Sequence, residues 1–197
     1  MTAHRCVFAD GPITGQSVLV TGGAGRVGWY AIQWAKDADA RVIATASRPA
    51  DEQACREAGA DAVVNHREPG WGERVKAANG GTPVDRVVEV EFGGNLPEVL
   101  ACIRTGGTIA TYASMQVTEP KLPFYRMMFA DLTLRMVLVY VMPEAAKQAA
   151  IADIGRALAE GRLRHRIARR LPLARIAEAN ELIESGVHGC VVVDVGD

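Results

Sequence analysis

The sequence predicts an α/β fold of the Rossmann type, a doubly wound, mainly parallel sheet with helices on both faces. A short apolar strand at residues 18–20 runs into a glycine-rich turn at residues 23–28 and then into an amphipathic helix at residues 29–36. Apolar strands and helical segments then alternate as far as residue 112, which is typical of a parallel sheet. A chain of 197 residues can bury one good core. We see no linker or internal repeat and therefore predict one domain over residues 1–197.

The other elements follow from the spacing of apolar residues and from the glycines and prolines that end them. In the alternating part, strands are predicted at 41–46, 62–65, 83–90 and 108–112, with helices at 49–58, 71–78 and 96–103. A helical segment at 1–10 precedes this part. After Glu119 the pattern changes to a long apolar strand from Leu132 to Val141, helices at 123–130, 143–160 and 173–185, and strands at 165–171 and 190–195.

Charge and hydropathy exclude two classes of partner. The formal net charge of −1 gives no electrostatic footprint for nucleic acid. The longest apolar run, residues 136–142, is too short to span a membrane. One basic cluster alternates with apolar residues, which favours the solvated face of a strand over a polyanion site; its members are Arg162, Arg164, His165, Arg166, Arg169 and Arg170.

The cysteines indicate neither a disulfide framework nor a metal site. Cys6, Cys55, Cys102 and Cys190 are scattered, and no pair has the spacing of metal ligands. Four such thiols fit a reducing compartment, so we expect a cytoplasmic protein without a bound metal.

The glycine-rich turn predicts a dinucleotide site. In a strand–turn–helix of this kind the glycines allow a tight turn, close approach of the backbone to a pyrophosphate, and close packing of the helix on the strand. The start of the helix then offers free N–H groups to the phosphates. The alternative is a glycine turn of another α/β fold, such as a methyltransferase.

The end of the second predicted strand favours NADPH over NADH. An NAD site normally places an acidic residue there to hold the ribose 2′-hydroxyl. Here the strand is followed by Ser47 and Arg48, and the first acid is Asp51. Both Ser47 and Arg48 can donate hydrogen bonds to a 2′-phosphate. The alternative is that Arg48 is a solvated loop residue.

Two further strand ends carry candidate ligand contacts. His66 follows the third strand, where it either lies against the adenosine or is an exposed loop histidine. Tyr112, Ala113 and Ser114 end the fifth strand at the level expected for a nicotinamide ring, although Tyr112 also fits a core position. No nucleophile–base pair emerges, so the catalytic residues stay unknown. Hydride transfer needs no such pair because the cofactor carries the chemistry.

These residues together resemble a known family. The runs that carry the resemblance are Thr2-Ala-His-Arg, the segment from Val18 to Gly28, Ala31-Ile-Gln-Trp-Ala-Lys, Val42-Ile-Ala-Thr-Ala, Gly59-Ala-Asp-Ala-Val-Val-Asn-His-Arg-Glu and Gly106-Gly107. They resemble the medium-chain dehydrogenase/reductase superfamily, and most closely its zinc-independent quinone oxidoreductases of the zeta-crystallin type. The resemblance covers essentially the whole chain.

The resemblance implies a cofactor site and a pairing surface. It implies an NADPH site contacted by Ala24, Gly25, Arg26 and Val27 at the pyrophosphate, Ser47 at the ribose, His66 and Asn95 beyond it, and Tyr112, Ala113, Ser114, Met115, Leu138, Val139 and Tyr140 at the nicotinamide. In this family the apolar edge strand, here Leu132 to Val141, pairs with its twin in a homodimer; an unpaired edge of this length favours association.

Three departures from the family pattern stand out. Asp51 occupies the place of a lysine that binds the 2′-phosphate, so that Arg48 must substitute for it. Cys190 follows Gly189 where the family has a lysine. The run from Glu89 to Gly94, which contains Glu91, differs from the Asp-Ser-Val-Gly of the family and alters the expected cleft.

The family's N-terminal GroES-like catalytic domain has no counterpart in these 197 residues. We therefore expect the NADPH-binding domain of a longer enzyme, inactive alone, whose parent transfers hydride from NADPH to a quinone or enone. Two alternatives stay open: an enoyl reductase domain of a polyketide or fatty-acid synthase, and a non-catalytic module that only binds NADPH.

Overall fold

A computed structural model describes residues 1–196. Its helices are α1 (Thr2–Phe8), α2 (Arg26–Asp37), α3 (Pro49–Ala58), α4 (Trp71–Ala78), α5 (Phe92–Cys102), α6 (Phe124–Phe129), α7 (Glu144–Ala159) and α8 (Ile176–Glu184). Its strands are β1 (Ser17–Val20), β2 (Arg41–Ala46), β3 (Ala62–Asn65), β4 (Val84–Glu89), β5 (Ile103–Thr111), β6 (Thr133–Met136), β7 (Ile167–Pro172) and β8 (Cys190–Asp194). Two short 3-10 turns lie at Val139–Val141 and Leu173–Arg175.

The main sheet has six strands in the order β3-β2-β1-β4-β5-β6. Every pair in it is parallel. The chain moves outward from β1 to β3 and then returns to the other side of β1 with β4. Neighbouring connections therefore leave in opposite directions at the carboxyl ends of β1 and β4, and a crevice opens there. The predicted doubly wound Rossmann-type fold is confirmed.

Two apolar layers cover the two faces of this sheet. On one face, α1, α2 and α3 pack on the strands around buried residues such as Ile32, Trp34 and Cys55. On the other face, α4 and α5 contribute Trp71 and Leu96 to a second core. The central strand β1 is buried along its whole length because it has a neighbouring strand on each side and helices on both faces.

The predicted strand from Leu132 to Val141 is wrong in length. Strand β6 ends at Met136 and is followed by the 3-10 turn at Val139–Val141. The last hydrogen bond to the neighbouring strand runs from the Val137 amide to the Thr111 carbonyl, at 2.8 Å. Strand β5 ends there, so the chain beyond it has no strand partner and turns away.

The C-terminal strands form a sheet of their own, and this changes the interpretation of the basic cluster. Strands β7 and β8 pair with each other in parallel, outside the six-stranded sheet. Because β7 starts at Ile167, the basic residues of 162–166 precede the strand. The backbone of Arg164 is hydrogen-bonded to α2. Its carbonyl accepts from Trp29 Nε1 at 2.8 Å, and its amide donates to the Gln33 side chain at 2.7 Å. Of the cluster, only Arg169 and Arg170 lie within the strand, and both are exposed.

An ion pair with a buried arginine fixes the segment after α1 to the sheet. Asp10 accepts hydrogen bonds at 3.2 Å from both terminal nitrogens of Arg86, a buried residue of β4, and it also pairs with Arg135 of β6. Arg86 donates a further bond to the carbonyl of Cys6 at 2.8 Å. Burial alone raises the pKa of Asp10, but the two guanidinium groups outweigh burial and lower it.

We expect Asp10→Ala to reduce the free energy of unfolding by about 3 kcal/mol, because it leaves the Arg86 charge buried without a partner. The matched control is Asp37→Ala, which removes an exposed pair with Arg162 and should cost less than about 1 kcal/mol. Urea unfolding followed by circular dichroism measures both values. Because the pKa of Asp10 is lowered on folding, its contribution is present above the ordinary aspartate pKa and is lost as the pH falls through the folded value. Equal costs for the two variants would contradict the buried pair.

Candidate functional site

The glycine turn after β1 is a close backbone contact that a side chain would block. An added Cβ at Gly28 would lie 2.4 Å from the carbonyl oxygen of Gly22, and one at Gly23 would lie 2.8 Å from Cys55 Sγ. Gly22 has φ +59° and donates to the Thr45 hydroxyl at 3.0 Å. The turn is therefore held against β2 on one side while α2 packs directly on it, as a glycine-rich phosphate-binding turn requires.

The N-terminus of α2 offers free backbone donors. Gly25 is the N-cap residue, so the amides of Arg26, Val27 and Gly28 have no acceptor within the helix. In the part of the chain that the structure describes, no side chain caps this end. The helix dipole adds partial positive charge to these donors. The end of α2 therefore has the chemistry of an anion site.

A cavity of about 470 Å³ lies at this helix end. It brings together residues from the turn, from the ends of β2 and β3, and from the loop between α8 and β8. Its lining is Gly22, Ala24, Gly25, Arg26, Ser47, Arg48, Asp51, His66, Val90, Gly186, Val187, His188 and Gly189. Six of the predicted contacts, Ala24, Gly25, Arg26, Ser47, Arg48 and His66, thus share one cavity.

Arg48 is ion-paired within this cavity. Its Nε donates to Asp51 Oδ2 at 2.8 Å, and Asp51 is buried. The other Asp51 oxygen lies 2.8 Å from His188 Nδ1 but makes no well-aligned hydrogen bond within residues 1–196. Arg48 is therefore neither an isolated cation nor a freely solvated residue, because one carboxylate is shared between it and His188.

His66 presents a buried nitrogen without a protein partner among the described residues. Its Nδ1 is inaccessible to solvent and unbonded. Burial, followed by the neighbouring charge of Arg67, lowers the pKa of His66. Because Nδ1 is shielded from solvent, only the exposed part of the half-buried ring can contact a ligand in the cavity.

A second cavity, of about 580 Å³, lies at the ends of β5 and β6. Its lining includes four of the residues predicted for the nicotinamide end: Tyr112, Ala113, Ser114 and Leu138. Burial raises the pKa of Tyr112, so its hydroxyl stays protonated. This part of the site is mostly apolar, with Arg5 and Arg135 also in the lining.

Five predicted contacts lie outside these two cavities, in four different settings. Val27 faces a third cavity, of about 360 Å³, between α1, α2 and α7. Asn95 donates to the buried carboxylate of Glu89 at 2.8 Å. Met115 and Tyr140 are 81% and 82% exposed, and Val139 begins the 3-10 turn after β6.

Sequence reasoning missed the groups that hold the site in place. Arg166 donates to the carbonyl of Ala24 at 2.9 Å and so fastens the glycine turn to the chain before β7. His188 reaches Asp51 across 137 positions of the sequence. A local sequence pattern cannot predict contacts between residues so far apart in the chain, since the basic pattern of residues 162–170 is equally typical of any solvated strand.

The described residues do not form a metal site. Within residues 1–196, no three or more His, Cys, Asp and Glu side chains are grouped to hold a metal ion. A zinc ion therefore has no donor set in this part of the chain. Over the same residues, no helix combines the length and apolarity needed to cross a bilayer.

Comparison with known proteins identifies the family. Residues 27–154 match the family model described as zinc-binding dehydrogenase. A quinone oxidoreductase of Homo sapiens is 29% identical over 189 residues, covering 95% of this chain and 56% of that protein. A crotonyl-CoA reductase of Streptomyces collinus is 30% identical over 117 residues, covering 51% of this chain and 26% of that protein.

Solved structures give the same result. One described as an NAD-dependent alcohol dehydrogenase superposes with a TM-score of 0.85 at 31% identity, covering 99% of this chain and 56% of that chain. A mycobacterial structure complexed with NADPH gives a TM-score of 0.84 at 27% identity, covering 98% of this chain and 60% of that chain.

The chain belongs to the zinc-binding dehydrogenase family, and its fold is that of the family's NAD(P)-binding domain. This confirms the resemblance to medium-chain dehydrogenases and quinone oxidoreductases noted in the sequence. The chain spans about half the length of the curated quinone oxidoreductase relatives that it matches along nearly all of its own length.

Proposed function

We propose that this chain is the NADPH-binding domain of an oxidoreductase that transfers hydride to a quinone or an enone. The observation that carries the proposal is the glycine turn, where the free amides of α2 open into a cavity that also holds Ser47, Arg48 and His66. Backbone donors and the cationic side chains of Arg26 and Arg48 are what a phosphorylated nucleotide needs.

Each part of the site has one task under this proposal. The amides at the start of α2 bind the pyrophosphate, and His66 lies against the adenosine. Ser114 and Leu138 line the apolar cavity at the other end, where they orient the nicotinamide ring and exclude water. The bound cofactor supplies the hydride, so the protein needs to position the reactants and hold water away.

The choice of NADPH rests on Arg48 and Ser47, with Asp51 as the opposing feature. Asp51 already accepts from Arg48 Nε at 2.8 Å and Nη2 contacts His188 Nδ1 at 3.3 Å, which leaves Nη1 to reach a 2′-phosphate. The imidazole of His188 also lies beside Asp51, with its Nδ1 2.8 Å from Oδ1. The Arg48 side chain is also 58% exposed, so it can turn toward a ligand without leaving a buried position.

A second function has an observation in its favour. The match to a crotonyl-CoA reductase over about half of this chain supports an enoyl reductase, which reduces a conjugated double bond in a thioester. A non-catalytic module that only binds NADPH is the remaining alternative. Both would use the same cofactor cavity and differ in what occupies the cavity at the ends of β5 and β6.

We also propose a homodimer formed through the outer edge of β6. That strand has a neighbour on one side only, and apolar side chains are exposed on it and nearby, among them Met136 at 72% and Phe129 at 78%. An exposed apolar strand edge of this kind favours pairing with a second strand.

The four free cysteines support a reducing, cytoplasmic location.

Arg48→Ala should weaken the binding of NADPH by about ten-fold while leaving NADH nearly unaffected, because a charge-assisted hydrogen bond contributes about 1.5–3 kcal/mol. Calorimetric titration of the wild type and the variant with both cofactors measures the difference. Arg56→Ala, which breaks an exposed pair with Glu52 on α3, serves as the matched control. An equal loss of affinity for both cofactors would remove the basis for preferring NADPH.

The longer protein that contains this chain should oxidise NADPH when a quinone or a simple enone is added, as followed by the loss of nicotinamide absorbance. The 197-residue chain alone should bind NADPH and turn over little. A strong preference for enoyl thioesters would instead favour the enoyl reductase. NADPH binding without oxidation by any of these acceptors would favour the non-catalytic module.

Met136→Lys should shift the chain from dimer to monomer, because it places a charge beside the free edge of β6. Sedimentation equilibrium of the wild type and the variant measures the change, which we expect to be at least about ten-fold in the dimer dissociation constant. Glu181→Gln on α8 also raises the net charge by one unit at an exposed position away from β6 and should leave the dimer intact. A monomeric wild type would reject the homodimer.

A further inference from the structure

The loop that follows β5 is held by one carboxylate. Glu91 accepts hydrogen bonds from three consecutive backbone amides: Met115 at 2.8 Å, Gln116 at 3.1 Å and Val117 at 3.3 Å. Because Glu91 is the N-cap residue of α5, these bonds tie the 113–118 loop to the start of that helix. Hydrogen bonds from backbone N–H groups to a carboxylate are stronger than those between neutral groups.

Other contacts hold the same loop from different directions. Ser114 Oγ accepts from the Gly93 amide at 2.9 Å and donates to the Val117 carbonyl at 2.5 Å. The Phe92 amide donates to the carbonyl of Ala113 at 3.1 Å. An added Cβ at Gly93 would lie 2.6 Å from the Val117 carbonyl oxygen, so the loop rests directly on the backbone of α5.

The loop so held forms a wall of the cavity at the nicotinamide end. Ala113, Ser114 and Thr118 line the cavity of about 580 Å³, together with Phe92 of α5. The shape of that cavity therefore depends on where the 113–118 loop lies. The glycine turn and Arg48 line a different cavity and have no contact with Glu91 among those described.

We propose that Glu91 is a positioning residue for the nicotinamide half of the cofactor. It acts through the 113–118 loop and does not itself touch the ligand. This rests on the proposed function, since it assumes that the cavity at the ends of β5 and β6 receives the nicotinamide ring. Loss of Glu91 frees three amides and loosens residues 115–117 of the wall, while the pyrophosphate and adenosine contacts keep their geometry.

The chain offers a matched control in Glu98. This residue also holds backbone amides with its carboxylate, those of Gly70 at 3.0 Å and Gly72 at 2.7 Å, where it fixes the start of α4. Glu91 and Glu98 are both partly exposed. Glu98 lines neither of the two cavities, so its removal has a similar effect on stability without an effect on the nicotinamide end.

The experiment compares two ligands on the 197-residue chain by calorimetry: NADPH, and 2′-phospho-ADP-ribose, which lacks the nicotinamide ring. We expect Glu91→Ala to weaken NADPH by about ten-fold, the loss typical of charge-assisted hydrogen bonds, and to leave 2′-phospho-ADP-ribose unchanged. The NADPH affinity of Glu91→Gln, which keeps one acceptor oxygen, should fall between those of the wild type and Glu91→Ala. Glu98→Ala should change the affinity for neither ligand. Hydrogen exchange should become faster at residues 115–117 in Glu91→Ala and at residues 70–72 in Glu98→Ala.

Gly93→Ala tests the same loop without removing a charge, because its methyl group must displace Val117. It should reproduce the selective loss of NADPH affinity, and it serves if Glu91→Ala is too unstable to purify. Equal losses for NADPH and 2′-phospho-ADP-ribose, or no loss for NADPH, would overturn the role of Glu91. A wild-type chain that binds neither ligand would reject the proposed function itself, and the role of Glu91 with it.

Discussion

The close approach of α2 to the turn after β1 sets the position of almost everything at the candidate site. An added Cβ at Gly28 would lie only 2.4 Å from the Gly22 carbonyl oxygen, so this packing exists only because glycine occupies the position. The same approach places the free amides of α2 at the crevice between β1 and β4, where successive connections leave the sheet in opposite directions. Thr45 of β2 accepts a hydrogen bond from the turn, and the loop that carries Ser47 and Arg48 comes directly after this strand. A single steric requirement thus determines where phosphate-binding groups can stand.

The carboxylates of the site hold the structure in place. Asp51 is buried against Arg48 and His188. Glu89 is fully buried at the end of β4, and burial raises its pKa, although the Glu91 amide and Asn95 donate to it. Glu91 holds the loop after β5. Negative charge around the cavities is therefore paired or suppressed, while the free amides of α2 stay available to an anionic ligand.

Much of the fold could be predicted because it depends on local patterns. The strand–turn–helix at residues 17–37 has a glycine spacing with a steric meaning, and the alternation of elements up to residue 112 fixes a parallel sheet. The length of β6 could not be predicted in this way, since it depends on where β5 ends. The same holds for the separate pairing of β7 with β8. Of the site, the backbone donors and strand-end residues follow from sequence, whereas the pairing of Arg48 with Asp51 and His188 depends on contacts between distant segments.

The bond from Arg166 to the carbonyl of Ala24 also affects the electronic character of the turn. The peptide group that accepts from this guanidinium is the one whose N–H, on Gly25, donates to the Gly22 carbonyl at 2.9 Å. Hydrogen bonds in such a series polarise one another, so a positive charge at one end strengthens the next bond along. The guanidinium, which lies outside the main sheet, thus strengthens the hydrogen bond from the Gly25 amide to the Gly22 carbonyl. A residue placed just before β7 thereby contributes to the rigidity of a backbone contact made more than 130 positions earlier in the chain.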